Sequence, residues 1–173
     1  FSTPIFARHA RKKIKSKKII CVAPDVGGTE RARALGKLVN VGLAIVDKRR
    51  PKPGQSEVMN VIGDVKNQTC IIVDDICDTA GTLCKAAEVL IDNGASEVHS
   101  YITHGVLSGP AVERITNSVM KSLVISDSIE ATKAVKEAKN IRIVPSAPMF
   151  AQAILNIWSG TSVSSLFLSL IHI

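Results

Sequence analysis

The sequence has 173 residues, of which 46% are hydrophobic and 21% are charged, and its formal net charge is +7. This length suits one domain with a sizeable core, and the composition excludes a disordered chain, a collagen-like repeat and a small disulfide scaffold. No apolar run reaches the roughly 18 residues of a spanning helix, and the first residues lack the apolar segment of a signal peptide, so we expect no membrane partner.

The positive charge is concentrated at the beginning of the chain. Seven of the 22 Lys and Arg residues lie in residues 1–18, which contain no acid, so the other 15 bases balance the 15 acids of residues 19–173. A neutral body and 3% aromatic residues argue against nucleic acid as a partner. We predict a basic leader at 1–18 and a domain at 19–173. A solvated helix face is favoured for the leader, and a nucleic-acid-binding arm is the alternative.

Apolar runs and turn signals alternate along the rest of the chain. Runs rich in Ile and Val predict strands at 19–24, 42–47, 69–75, 97–103, 122–126 and 141–145. The stretches between them predict helices at 29–40, 81–93, about 110–118, 130–138 and about 147–158. Most of the strands lack polar alternation, which indicates that both faces of the sheet are covered. The sequence therefore predicts an α/β domain with a mostly parallel sheet flanked by helices, and residues 57–64 predict an antiparallel edge strand.

The stretch KRRPKPGQS at 48–56 interrupts this alternation. Four of its first five residues are basic, and it contains two prolines and a glycine. Prolines exclude a regular helix or an inner strand at this position. We therefore predict an exposed, mobile loop with concentrated positive charge, directly after a strand that ends at Asp47.

The most informative segment is TCIIVDDICDTAGT at 69–82, where an apolar strand ends in two adjacent carboxylates and a short turn leads into a helix. Glycine allows close backbone approach, and the N–H groups, Thr hydroxyls and dipole at the helix start favour a phosphate. Carboxylates beside a phosphate need partners of their own, which the vicinal hydroxyls of a sugar or a magnesium ion would provide. The segment therefore indicates a sugar-phosphate site. The alternative, that Asp78 and Thr79 only cap the helix, leaves Asp74 and Asp75 unexplained.

The four cysteines form no CxxC pair and have no metal-finger spacing. Cys21 and Cys70 lie inside apolar, strand-like runs, where a thiol usually behaves as a small hydrophobic group. This usage is typical of a reducing compartment, and we expect a cytoplasmic location.

The segment VDDICDTAGT resembles the phosphoribosyl pyrophosphate loop that type I phosphoribosyltransferases share with ribose-phosphate pyrophosphokinases. Other segments resemble ribose-phosphate pyrophosphokinase in the same order along the chain: APDVGGTERA (23–32), VDKRRPKPG (46–54), IGDV (62–65), THGVLSGPAVERI (103–115) and SVSSLF (162–167). The chain as a whole is similar to the carboxyl-terminal half of that family. The resemblance implies a type I phosphoribosyltransferase-like fold and transfer of diphosphate from ATP to C1 of ribose 5-phosphate, with Mg²⁺ as cofactor and AMP as the second product.

The resemblance also implies roles for individual residues. Asp74 and Asp75 would hold the ribose hydroxyls. The 5-phosphate would lie against the loop of Asp78, Thr79, Ala80, Gly81 and Thr82. Lys48 and Arg50 match the family's catalytic bases, and Arg50 is also expected to bind substrate. Asp25 matches a position associated with magnesium, and a helix N-cap is its alternative role.

The resemblance further implies an ATP-binding amino-terminal half that this sequence lacks, through which ATP would mainly bind. We therefore expect this chain to bind ribose 5-phosphate but to make no product alone, and we expect a homo-oligomer at full length. SVSSLF resembles a segment near the family's regulatory site, with simple packing as the alternative. Two other functions stay open: a non-catalytic regulatory subunit, which would be expected to lose the loop bases or the acids, and a phosphoribosyltransferase, which would need a hood for a nucleobase.

Overall fold

The computed structural model describes residues 2–49, 58–164 and 166. The strands are β1 (Ile19–Ala23), β2 (Gly42–Arg49), β3 (Val58–Ile62), β4 (Thr69–Cys77), β5 (Glu97–Gly105), β6 (Ser122–Ser126) and β7 (Ile141–Val144). The helices are α1 (Thr3–Lys13), α2 (Thr29–Val39), α3 (Gly81–Asp92), α4 (Ala111–Thr116), α5 (Lys133–Glu137) and α6 (Ala147–Trp158).

The described strands form one sheet in the order β3-β2-β1-β4-β5-β6-β7. All neighbouring pairs are parallel except β2 and β3, which are antiparallel. The predicted α/β class, the mostly parallel sheet and the antiparallel edge strand are confirmed. Because the parallel strands all run in one direction, their carboxyl ends lie along a single edge, where ligands bind in open α/β sheets.

Apolar side chains leave both faces of the sheet, as the lack of polar alternation predicts. In β4, Cys70 and Ile72 pack into a core with residues of α3, while Ile71 and Val73 pack into a second core with residues of α1 and α2. All four of these side chains are at most 3% exposed. The central strand is therefore buried on both sides, and its position relative to the helices around it is determined by close packing.

The basic leader forms helix α1, which has one solvated face and one buried face. All of its Lys and Arg residues are exposed, whereas Phe6, Ala7 and Ala10 are buried. The Phe6 ring meets the ring of Tyr101 edge to face, with centroids 5.4 Å apart, and Nδ1 of His9 lies 3.0 Å from the Tyr101 hydroxyl. The helix therefore packs against β5 in the middle of the sheet, and its charged face points to solvent.

Three strands extend beyond their predicted ends, and the simplest case is β5, which continues by two residues to Gly105. Strand β2 continues to Arg49, because its antiparallel pairing with β3 includes Lys48 with Met59 and Arg49 with Val58. The prediction that the loop begins at residue 48 is therefore wrong, and the remainder of that loop, with Arg50, lies outside the described residues. Strand β4 continues to Cys77 because Ile76 and Cys77 still pair with β5.

None of the helices in the described part of the chain is long and apolar enough to cross a membrane.

All four cysteines are buried and free, and burial raises the pKa of Cys21, Cys70 and Cys77 to about 12. These thiols therefore act as apolar packing groups, as predicted for Cys21 and Cys70.

Helix α6 differs from the others, because several large apolar side chains on it are exposed, including Ile154 at 65% and Trp158 at 89%.

The packing of α1 predicts the effect of removing its central aromatic side chain. Phe6→Ala should lower the free energy of unfolding by about 3 kcal/mol, because it leaves a cavity beside Tyr101. Urea unfolding followed by circular dichroism measures this change. The exposed residue Arg8 on the same helix provides the control, since Arg8→Ala should change stability by less than about 0.5 kcal/mol. Equal stability of the two variants would show that α1 does not pack on the sheet.

Candidate functional site

Most of the predicted site residues surround one cavity at the carboxyl edge of the sheet. Its volume is about 310 Å³, and it lies where β1 and β4 end and α3 begins. Of the predicted residues, Asp25, Asp74, Asp78, Thr79, Ala80, Gly81 and Thr82 line it. The topology therefore joins the loop after β1 to the segment after β4, which are far apart in the chain.

The turn between β4 and α3 has a conformation that supports an anion site. Ala80, the residue before the helix, is left-handed with φ 61° and ψ 3°, which is uncommon for a side chain with a Cβ. Helix α3 begins at Gly81 and runs for 12 residues, so its first N–H groups and the positive end of its dipole face the cavity edge. Gly81 and Thr82 are exposed, which leaves this helix start accessible to a ligand.

The loop between β5 and α4 holds this turn in place. The Leu107 and Ser108 N–H groups donate to the carbonyls of Cys77 and Asp78, both at 3.1 Å. The Ser108 hydroxyl donates to the Asp78 carboxylate, and Nη1 of Arg114 donates to the Thr79 carbonyl at 2.9 Å. The turn is thus supported by a segment about 30 residues further along the chain.

The alternative that Asp78 or Thr79 caps α3 is not what the structure shows. The N-cap residue is Ala80, and no side chain forms a cap hydrogen bond there. The Asp78 carboxylate instead accepts a hydrogen bond from the Ser108 hydroxyl. The Asp78 carboxylate therefore supports the loop and does not cap the start of α3.

The two adjacent acids at the end of β4 share a single arginine from α2. Nη1 of Arg31 lies 3.1 Å from Oδ1 of Asp74, and Nη2 of Arg31 lies 2.6 Å from Oδ2 of Asp75. Oδ1 of Asp74 also accepts the Asp75 N–H at 2.9 Å, and Oδ1 of Asp75 accepts the Ile76 N–H at 2.9 Å. We call this arrangement the acidic pair (Asp74 and Asp75) with its arginine bridge.

The two carboxylates of the acidic pair differ in their affinity for a proton. Burial raises the pKa of Asp74 to about 6, and the neighbouring carboxyl of Asp75 adds to that shift. Partial burial also raises the pKa of Asp75, but the positive charge of Arg31 and the hydrogen bonds that Asp75 accepts outweigh it and hold the pKa below its usual value. A single proton on the pair therefore resides mainly on Asp74.

A second cavity has a volume of about 600 Å³ and is lined by Asp75, whereas Asp74 lines the first. Arg31, Asp75 and His104 line the second cavity together with hydroxyl groups and the apolar side chains of Met149 and Phe150. Asp75 therefore faces a different space from Asp74, which lines the smaller cavity. Nδ1 of His104 lies 2.9 Å from the Ser128 hydroxyl.

The structure describes two of the three predicted basic and metal-binding residues, Lys48 and Asp25. Lys48 is half-buried near the carboxyl end of β2, which lies on the same edge of the sheet as the acidic pair. Arg50, predicted to be catalytic and substrate-binding, lies outside the described residues. Oδ1 of Asp25 accepts the Gly28 N–H at 2.8 Å, while Gly28 itself is the N-cap residue of α2. Asp25 thus supports the helix start from outside the N-cap position, and within residues 2–49 and 58–164 no group donates a hydrogen bond to its second carboxylate oxygen.

Three residues that support the site had no role in the sequence analysis: Arg31, Ser108 and Arg114. They lie in segments, 23–32 and 103–115, that contributed only to the resemblance. The available signal for Arg31 was its position as a basic residue in the first turn of a predicted helix, directly after the glycines of the preceding loop. For Ser108 and Arg114 only the sheet topology shows which segment they support.

The sheet order and the helices around it have the fold of the type I phosphoribosyltransferase class. The chain superposes on an adenine phosphoribosyltransferase with a TM-score of 0.57 and 19% identity over 68% of this chain and 75% of that one, a likeness of fold alone. A phosphoribosylpyrophosphate synthetase from Mycobacterium smegmatis superposes with a TM-score of 0.82 and 28% identity, over 92% of this chain and 51% of that one. The predicted fold type is confirmed.

Within that class, residues 45–168 match the model of the phosphoribosyl synthetase-associated domain, and the chain belongs to this family. It is 70% identical over 169 residues to a ribose-phosphate pyrophosphokinase of Cereibacter sphaeroides, which covers 96% of this chain and 50% of that protein. A ribose-phosphate pyrophosphokinase of Rhizobium meliloti is 54% identical over 167 residues, or 96% of this chain and 54% of that protein. The chain thus spans about half the length of the curated relatives it matches, and the resemblance inferred from the motifs is confirmed.

The raised pKa of Asp74 predicts a pH-dependent contribution to stability. The folded pKa is about 6 and the ordinary value is 3.8, so the folded state holds this proton more tightly. Stability from this group is therefore present below about pH 4 and is lost as the pH rises through 6. The Asp74→Asn variant has no such loss. The difference between its free energy of unfolding and that of the unaltered chain should therefore shift in favour of the variant by on the order of 1 kcal/mol between pH 4 and pH 7.

Urea unfolding at a series of pH values measures this difference. The exposed Asp92 at the far end of α3 supplies the control, because Asp92→Asn removes a carboxyl outside the site. A constant offset between the Asp74→Asn and unaltered chains across this range would contradict the raised pKa.

Proposed function

We propose that this chain is the ribose 5-phosphate-binding, carboxyl-terminal half of a ribose-phosphate diphosphokinase. That enzyme transfers the diphosphoryl group of ATP to C1 of ribose 5-phosphate and yields phosphoribosyl pyrophosphate and AMP. One observation carries the proposal: Asp74, the more buried member of the acidic pair, and an anion-binding helix start line the same small cavity, while the next residue, Asp75, lines the second cavity. The named relatives, 70% and 54% identical, support it.

The chemistry of the cavity suits a phosphorylated sugar. The first N–H groups of α3 and the Thr79 and Thr82 hydroxyls donate to a phosphate, while the acidic pair accepts hydrogen bonds from sugar hydroxyls. A volume of about 310 Å³ holds a molecule of this size. The Asp78 charge would repel a phosphate, but the Asp78 carboxylate accepts a hydrogen bond from Ser108, and Arg114 of α4 contacts the same turn through the Thr79 carbonyl and brings a compensating positive charge.

Transfer of a diphosphoryl group depends on positioning and charge neutralisation and needs no nucleophilic side chain from the protein. In our proposal, Lys48 and Arg50 supply positive charge to the transferred phosphates from the end of β2 and the segment after it. ATP itself would mainly contact the part of the enzyme that this chain does not include. The C1 hydroxyl oxygen of the bound sugar would bond to the β-phosphorus of ATP and release its proton to solvent, and AMP would leave with the bridging oxygen and the electron pair of the broken P–O bond.

We also propose Mg²⁺ as the cofactor, held in part by Asp25. Among the described residues, no group of three or more His, Cys, Asp or Glu side chains is arranged to hold a metal ion. A single carboxylate such as that of Asp25 is nonetheless enough for Mg²⁺, because this ion commonly binds one or two carboxylates and completes its shell with water and substrate phosphates. The exposed Asp25 lines the cavity and retains a carboxylate oxygen that Gly28 does not engage. When bound, the ion would neutralise phosphate charge.

A non-catalytic regulatory subunit is the main alternative. Such a protein has no need of sugar-phosphate chemistry, yet Lys48, Arg50 and the acidic pair are all present in this sequence. A phosphoribosyltransferase ranks lower, because the likeness to that class is one of fold at 19% identity, whereas the relatives with high identity are named pyrophosphokinases.

A cytoplasmic location and self-association are further proposals. Four buried free thiols support a reducing compartment, which cell fractionation tests. The exposed apolar side chains of α6 favour a homo-oligomer through that helix. A sedimentation profile of a monomer at high protein concentration would count against self-association of this chain.

The proposal predicts that the 173-residue chain binds ribose 5-phosphate in a calorimetric titration. Asp75→Asn and Thr82→Val should each weaken binding by about tenfold, because each removes a hydrogen-bonding partner of the sugar or its phosphate. Asp92→Asn is the matched control and should bind as the unaltered chain does. In a coupled assay with ATP and Mg²⁺, the chain alone should release no AMP.

Unchanged affinity in both site variants would remove the basis of the proposed function. Ribosylation of a nucleobase by the chain would favour a phosphoribosyltransferase, and binding of a full-length synthetase without any sugar-phosphate binding would favour a regulatory subunit.

The role of Asp25 predicts a specific loss of metal dependence. Mg²⁺ should tighten the binding of phosphoribosyl pyrophosphate, and Asp25→Asn should lose most of this gain because it removes a negative charge. Asn keeps an oxygen that accepts the Gly28 N–H, so the local fold is retained. Calorimetry with and without Mg²⁺ makes the comparison, and an equal effect of Mg²⁺ on both proteins would exclude Asp25 as a ligand.

A further inference from the structure

We propose that Arg31 is a positioning residue that holds both carboxylates of the acidic pair in place and thereby sets the preference of the site for a vicinal diol. This inference rests on the proposed function, because it concerns how the same cavity selects its sugar. Arg31 belongs to α2, a different element from the acids that it contacts.

The contact is a bridge from one guanidinium group to two carboxylates. One nitrogen donates to Asp74 at 3.1 Å and the other to Asp75 at 2.6 Å. The planar, rigid fork of an arginine can hold both acids at once, which the single ammonium group of a lysine cannot do with the same geometry. The bridge therefore fixes the orientation of two side chains with respect to each other.

The position of Arg31 is itself well determined. Its neighbour Ala32 and the next-turn residue Leu35 are fully buried in the core between α2 and the sheet. The Arg31 side chain is 31% exposed, so the guanidinium emerges from a packed helix and is partly shielded from water. Its Nη1 also lies close to Gly28, where an added Cβ would come within 3.7 Å. A rigid helix thus carries the bridge.

The bridge leaves room for a sugar. Ionised carboxylates accept about four hydrogen bonds each. Arg31 and backbone N–H groups account for two of these on each acid. Arg31 lines the larger cavity and not the smaller one, which holds Asp74 and the phosphate-binding turn. The arginine therefore does not occupy the space beside Asp74 that a bound ribose would take.

The bridge also offsets charge. Two adjacent carboxylates repel each other, and without a cation they would rotate apart or share a proton, which would remove an acceptor. An orientation held by Arg31 directs Asp74 to the smaller cavity and Asp75 to the larger one, so a sugar bound at the boundary between them meets both acids at once. The loss of the bridge should therefore affect a ligand with two vicinal hydroxyls more than a ligand with one.

The test compares ribose 5-phosphate with 2-deoxyribose 5-phosphate, which has the same phosphate but lacks the vicinal diol. Calorimetric titrations would use the unaltered chain, Arg31→Met, Arg31→Lys and Arg33→Met. Arg33 is an exposed arginine on the same helix, so its variant matches the loss of charge and of chain length outside the site. Circular dichroism and thermal unfolding establish that each variant is folded.

We expect Arg31→Met to weaken the binding of ribose 5-phosphate by about tenfold and that of 2-deoxyribose 5-phosphate much less, so that discrimination between the two sugars largely disappears. Arg31→Lys should restore part of the affinity and less of the discrimination, and Arg33→Met should behave as the unaltered chain.

Two outcomes would overturn the inference while leaving the proposed function intact. In the first, the unaltered chain binds ribose 5-phosphate, and Arg31→Met discriminates between ribose 5-phosphate and 2-deoxyribose 5-phosphate as strongly as the unaltered chain does. The other is an equal loss of affinity for both sugars, which indicates a general structural or charge effect. Failure of the unaltered chain to bind either sugar phosphate would overturn the proposed function and this inference together.

Discussion

The parallel arrangement of β1, β2 and β4 is the constraint on which the candidate site depends. Their side-by-side order brings three carboxyl ends to one edge, and each carries a different part of the site: Asp25, Lys48 and the acidic pair. Burial of both faces of β4, by Ile72 on one side and Ile71 on the other, holds that edge against helices on each face. Packing of the core thus determines the distances between the polar groups.

The edge concentrates negative charge, and the surrounding segments compensate for it. Arg31 bridges the acidic pair from α2, and Ser108 and Arg114 hold the turn from the β5–α4 side. Each of these supports reaches the site from an element that does not carry the acids. A site built in this way has oriented acceptors before a ligand arrives, which lowers the cost of ordering them on binding.

The domain has a fold that phosphoribosyltransferases share, and its relatives with high identity are about twice its length. A division of labour follows from the proposed function: this half would hold the acceptor sugar, and the remainder would supply the nucleotide. The exposed apolar side chains of α6 offer a surface through which such parts or copies could associate.

The sequence by itself determined the element order and the strand–turn–helix segment that contains VDDICDTAGT, because apolar periodicity and turn chemistry are local properties of contiguous residues. It could not predict that Lys48 lies on a strand, since that depends on pairing of β2 with β3, or that α1 buries Phe6 against Tyr101. It also missed Arg31, which is 43 residues from Asp74, and Ser108, which is 30 residues from Asp78. Only the tertiary structure decided these contacts, because strand order and helix packing, and not local sequence, bring such residues together.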